Sequence, residues 1–210
     1  YIVYLKLIHS DFEVYKEIRF LQMNQLSSED PEPSQINDEI IPTIQIGKGS
    51  SKFYSNLIRS FLKNHDTILI VAGGYRINLA VWIIYMLSND FVISPCTINV
   101  CSEYLKYKTS VSFFISKHGD KNPIMLFEEN SNDYYIKVSK KSKPKTLLSI
   151  ACKRDESVII AAGSSCSTAF FLMTQAWVNG LIPYDVQIIK TMDNHGIEKA
   201  GIKYSLYNTY

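Results

Sequence analysis

The densest run of residues able to do chemistry is Lys137, Lys140, Lys141, Lys143 and Lys145, followed by Lys153 and Arg154, with no acidic residue anywhere from 137 to 154. Ammonium groups clustered at a strand-to-helix turn can reach phosphates and displace their counterions, which gives an affinity that falls steeply with salt. The competing reading is a solvated basic loop that binds nothing. A second turn, Gly47-Lys48-Gly49-Ser50-Ser51 with Lys52 behind it, adds two cations and two glycines whose small size would let backbone N–H groups approach a phosphate. A tight turn with ordinary surface lysines stands beside that reading. The Gly-x-x-x-x-Gly-Lys-Ser/Thr spacing of a nucleotide-triphosphate loop is absent. Between two apolar runs, Tyr104, Lys106, Tyr107 and Lys108 interleave aromatics with bases, a composition suited to stacking on unpaired bases beside a phosphate contact. A flexible exposed tip is the plainer alternative. Arg76 opens an apolar helical pattern, where backbone N–H groups already favour an anion, and it could equally pair with a nearby acid.

Other chemistries find little support. Cys96, Cys101, Cys152 and Cys166 form no Cys-x-x-Cys pair and only four histidines are scattered along the chain, so neither a zinc site nor any other cofactor is expected. Gly163-Ser164-Ser165-Cys166-Ser167 loosely resembles a nucleophile elbow but lacks the final glycine and an identifiable base. Cys166 therefore reads as a small packed residue, and catalysis is not expected. Trp82, Tyr85 and Trp177 lie in apolar helical patterns and read as core or as contacts between units.

These residues need elements to hold them. Ile44 and Ile46 alternate as a short strand, and Phe53, Leu57, Ile58, Phe61 and Leu62 mark one face of a helix. Thr67–Ala72 is a continuous apolar strand ending at Gly73-Gly74, and Ile77, Ala80, Val81, Ile84 and Leu87 define a second helix. Strands over Thr97–Ser102 and Ser110–Ser116, joined by a polar tip over Glu103–Thr109, complete the order β-α-β-α-β-β. The order then runs again. Tyr135–Lys141 matches Thr43–Gly49, Val158–Gly163 stands 89 residues after Leu69–Gly74, Ala169 follows Ala80 at the same offset, and Ile202, Tyr204 and Leu206 fall where Val111, Phe113 and Ile115 fell.

Ahead of the repeats, residues 27–42 combine three prolines with five acids and read as a solvated linker. Tyr1–Ile8 alternates weakly like a strand, and Phe12, Tyr15, Ile18 and Leu21 recur at helical spacing. The expected organisation is an acidic leader over 1–42 and two units over 43–120 and 121–210. The net charge of +2 conceals a division: residues 1–42 carry eight acids and three bases, leaving 19 bases and 12 acids for the two units. Such a body suits a polyanionic partner and equally an ordinary soluble domain. Unpaired cysteines fit a reduced, intracellular protein. No apolar run reaches membrane-spanning length, since Leu79–Leu87 is cut short by Ser88-Asn89-Asp90. A first residue of tyrosine rather than methionine is expected of a piece of a longer protein.

With Ile46-Gly47-Lys48-Gly49-Ser50, Ala72-Gly73-Gly74-Tyr75-Arg76-Ile77, Ala80-Val81 and a terminal hairpin in this order, the first unit resembles the Alba family. The second resembles it through Val138-Ser139-Lys140-Lys141, Ala161-Ala162-Gly163, Ala169 and Gly201-Ile202. The resemblance implies a two-layer α/β fold whose units pair, here as a fused, dimer-like arrangement in one chain. It also implies RNA or DNA binding through the basic turns, as in the Alba-type small subunits of ribonuclease P and MRP. Bases common in the family around the second-strand turn are replaced here by Gly73 and Tyr75 in one unit and Ser164 and Ser165 in the other, and only Arg76 is kept. The tyrosine-rich tip and modest charge favour RNA over DNA. The alternative is a scaffold in a ribonucleoprotein that binds protein partners and has little affinity for nucleic acid. Further self-association is open.

Overall fold

The computed structural model describes residues 4–9, 41–94, 96–103, 106–121, 124, 126–127, 134–193 and 195–208. The helical pattern read over Phe12–Leu21 and most of the acidic linker lie outside them.

Among the described residues the first β-α-β-α-β-β order is β2 (Thr43–Gln45), α1 (Ser51–Asn64), β3 (Thr67–Gly73), α2 (Ile77–Leu87), β5 (Thr97–Glu103) and β6 (Lys106–Ser116). A two-residue strand, β4 (Val92–Ile93), precedes β5 and pairs with the end of β6. The leader supplies an edge strand, β1 (Tyr4–His9), which pairs in parallel with β5. The second order is β7 (Tyr135–Val138), α3 (Pro144–Ala151), β8 (Glu156–Ala162), α4 (Cys166–Val178), β9 (Leu181–Met192) and β10 (Glu198–Asn208). The protein is thus mixed α/β, with two sheets and four α-helices among its described residues. Sheet order runs β5-β6-β3-β2 in one unit and β9-β10-β8-β7 in the other, with β1 added outside β5.

The repeat extends to backbone conformation. β3 and β8 each end in a glycine-led 3₁₀ turn, and Gly74 and Gly163 take φ values of +58° and +54°, a left-handed conformation that side chains with a Cβ disfavour.

Alternation along the strands sends Ile68, Ile70 and Ala72 of β3 and Val111, Phe113 and Ile115 of β6 into the core. Their counterparts Ile159, Ala161, Ile202, Tyr204 and Leu206 do the same in the second sheet, where Tyr204 Oη donates to the carbonyl of Ala169 at 2.9 Å. The face of α1 differs from the sequence expectation. Tyr54, Ile58 and Leu62, spaced by four, are buried, whereas Phe53 and Phe61 are exposed.

Helices α2 and α4 are buried around most of their circumference because each packs on its own sheet and on the opposite unit. One apolar core consequently runs through both units. Polar bonds across the junction pair matching positions. Asn78 and Ser167, 89 residues apart, exchange two bonds, Asn78 Nδ2 to Ser167 Oγ at 3.2 Å and Ser167 N to Asn78 Oδ1 at 2.7 Å. Tyr85 on α2 donates to Glu198 at the start of β10, at 2.7 Å. Its repeat position on α4, Thr174, bonds Thr109 near the start of β6, at 2.9 Å.

Candidate nucleic-acid interface

The parallel pairing of β2 with β3 places the Gly47–Ser50 turn beside the Gly73–Arg76 turn at one end of the first sheet. Because β6 runs antiparallel, with Ser110 opposite Gly73, the far part of the β5–β6 hairpin projects from that same end. The second sheet repeats this with β7, β8 and the β9–β10 hairpin. Each unit therefore gathers both strand-to-helix turns and its hairpin at one end.

In the second unit the lysines are set by a β-turn. Ser142 N donates to Ser139 O at 3.0 Å while Ser142 Oγ accepts from Ser139 N at 2.9 Å, so Lys140 and Lys141 occupy the two corner positions and are exposed. Lys143 is the N-cap of α3, Pro144 fixes the first helical residue, and Lys145 follows, both lysines exposed. Lys137 is separate from this group. It points from β7 between buried Ile136 and Val138, so it occupies the sheet's other face, with its Nζ 5.7 Å from the Tyr135 ring centroid.

In the first unit, Lys48 and Lys52 are exposed at the turn and the first turn of α1. The two glycines do a different job from a phosphate cradle. Gly47 N donates to Tyr54 Oη at 2.6 Å, so that N–H is already committed, and a Cβ on Gly47 would come within 2.9 Å of the same oxygen. A Cβ on Gly49 would meet the rings of Phe53 and Tyr54, each at 2.9 Å. The glycines are small to admit Tyr54, which locks the turn to its helix.

Arg76 is half-buried and its guanidinium lies 5.7 Å from the centroid of the exposed Tyr75 ring. Its Nε is buried without a hydrogen-bond partner among the described residues. The first hairpin is more regular than expected. Pairing continues to Glu103 opposite Lys106, so Lys106, Tyr107 and Lys108 belong to strand β6 rather than to a polar tip, while Tyr104 lies outside the described residues.

Electrostatics separates these cations from bases held in ion pairs. Arg59, Lys117, Lys190 and Lys199 are paired with Asp90, Asp66, Glu198 and Asp193. Lys48, Lys52, Lys140, Lys141, Lys143 and Lys145 have no acidic partner among the described residues. None of the four helices carries an acid in its first turn, so the positive ends of their backbone dipoles stand uncompensated beside those lysines.

The second hairpin contrasts with the first unit's basic end. Asp193 caps it by accepting from the backbone N–H groups of His195 and Ile197, each at 2.9 Å, and from Lys199 Nζ. The Lys199 ammonium and the Ile197 N–H hold its carboxyl down at about 2. Cys166 is fully buried, and desolvation pushes its thiol up to about 12, which is the environment of a packed residue rather than of a nucleophile. Among the described residues no cluster of histidine, cysteine and carboxylates could hold a metal, and no helix is long and apolar enough to cross a membrane.

Sequence reasoning missed Phe53 and Tyr75, the exposed aromatics of the basic end, at 55% and 68% exposure. Helical spacing in the sequence puts Phe53 on the core face, although the alternative stripe Tyr54, Ile58, Leu62 fits that spacing as well. Compared with protein-family models and with curated proteins, the chain matches none.

Proposed function

We propose that this chain binds nucleic acid, RNA in preference to DNA, without chemical catalysis, through units over 43–120 and 121–210 paired as Alba-like subunits pair. The observation that carries the reading is the set of exposed lysines, without acidic partners among the described residues, gathered at the turn-bearing end of each sheet. Phosphates supply the missing counter-charge, and the glycine-led turns and helix starts give it a fixed geometry. The pairing is supported by the common sheet order and by Asn78 meeting Ser167, its own repeat position, as a two-fold-related interface demands.

Titration of labelled RNA, single-stranded DNA and duplex DNA at several salt concentrations tests this. RNA is expected to bind tightest, with log affinity falling linearly in log salt, and changing Lys140, Lys141 and Lys143 together to glutamate is expected to weaken it.

A ribonucleoprotein scaffold is the second reading. Met192 and Ile197, 51% and 58% exposed, flank the Asp193-capped tip and offer protein rather than phosphate a contact. Weak binding to every nucleic acid would favour it.

A further inference from the structure

We infer that Phe53 and Tyr75 form a base-stacking platform on the first unit, which makes unpaired nucleotides, rather than duplex, the ligand of its basic end. This deepens the nucleic-acid reading above and rests on it.

Both rings are costly to leave in water, and burying either would be favourable, yet neither joins the core. Phe53 is held in the first turn of α1 by the anchoring of its neighbour Tyr54 to Gly47, which rotates the helix so that Phe53 lies outward over Gly49. Its ring packs edge-on against Tyr54, 5.1 Å between centroids and 78° between planes, an arrangement that fixes the ring and keeps it on the surface. Tyr75 is the middle residue of the glycine-led 3₁₀ turn at the end of β3, the strand beside β2, so the two rings stand at the same end of the sheet. Lys48, Lys52 and Arg76 flank them, with the Arg76 guanidinium close to the Tyr75 ring.

Exposed aromatic faces beside cations that have no acidic partner among the described residues match a flexible strand whose bases can turn out to stack while its phosphates meet the cations. A duplex cannot present such faces, because its bases are already stacked within the helix. The second unit lacks the device. The positions of Tyr75 and Arg76 are taken by Ser164 and Ser165, and that of Phe53 by Lys145. The two ends therefore divide the work, with stacking and charge on the first unit and charge alone on the second.

The experiment compares wild type, Phe53→Ala/Tyr75→Ala and the lysine-to-glutamate triple variant, using labelled RNA and DNA single strands of one sequence and the corresponding duplexes. The aromatic variant is expected to lose about tenfold in single-strand affinity per ring, with its salt slope and duplex affinity unchanged. Loss on both sugars, or on RNA alone, supports the platform and states whether the 2′-hydroxyl matters. Because both rings are exposed, folding is expected to persist, and Phe53→Trp/Tyr75→Phe should retain binding. An aromatic variant that binds single strands like wild type, while the lysine variant is weakened, overturns the platform and leaves the nucleic-acid reading standing. Wild type that binds no nucleic acid overturns both.

Discussion

Tyr54 shows how one side chain settles what its neighbours can do. Its hydroxyl takes the Gly47 N–H, its ring excludes any Cβ at Gly49, and its burial turns Phe53 outward. Removing the hydroxyl alone, in Tyr54→Phe, leaves the Gly47 N–H without its partner and is expected to cost about 1 kcal/mol of stability in denaturant unfolding. Unchanged stability would mean that water replaces the bond without loss. The lysines were legible in the sequence because a charged chain without an acid nearby has little alternative to the surface. The purpose of Gly47 and Gly49 was not, because the group that demands their size lies on the following helix and only folding brings it back. For the same reason Lys137, adjacent in sequence to the basic turn, proves to face the other side of its sheet: in a strand, the immediate neighbours of a buried residue point away.

At the scale of elements, strands and helices were recoverable from apolar periodicity, including the strand-like alternation at the start of the chain that becomes β1. Boundaries were less so. The β5–β6 ladder continues to Glu103 opposite Lys106, into the polar segment that composition marks as a tip, since cross-strand hydrogen bonds do not need apolar side chains to continue. The second hairpin carries its own pH dependence. Asp193 is held at about 2 by Lys199 and two backbone N–H groups, below the usual 3.8. A depressed carboxylate stabilises the fold above its unfolded value, and this contribution is lost as pH falls from about 3.8 to about 2. Melting of wild type and Asp193→Asn across pH is therefore expected to show wild type ahead at neutral pH and the difference closing through that acid window. A constant difference down to pH 2 would assign the effect to something other than this charge.

For the whole molecule, the tandem repeat was visible in the spacing of its glycines, but the way the units dock was not. Thr109 and Thr174 are 65 residues apart, and nothing in either segment marks them as partners. Their hydroxyl pair is buried, and Thr174 Oγ1 also donates to the carbonyl of Phe170 at 3.1 Å, so Thr109→Val removes one of its two partners and is expected to destabilise by about 1 kcal/mol. The double change Thr109→Val/Thr174→Val should cost less than the two single changes together, and strict additivity in this cycle would deny the coupling. A core continuous through both units predicts a single cooperative unfolding transition in the same experiments. Function at this scale depends on whether the uncompensated lysines meet phosphate. The most direct measurement is RNA affinity as a function of salt for wild type and for Lys140→Glu/Lys141→Glu/Lys143→Glu. The account predicts a steep linear loss for wild type, and for the variant both weaker binding and a slope shallower by about 0.7 for each single-strand phosphate contact removed. Identical affinity and slope in the two proteins would contradict it.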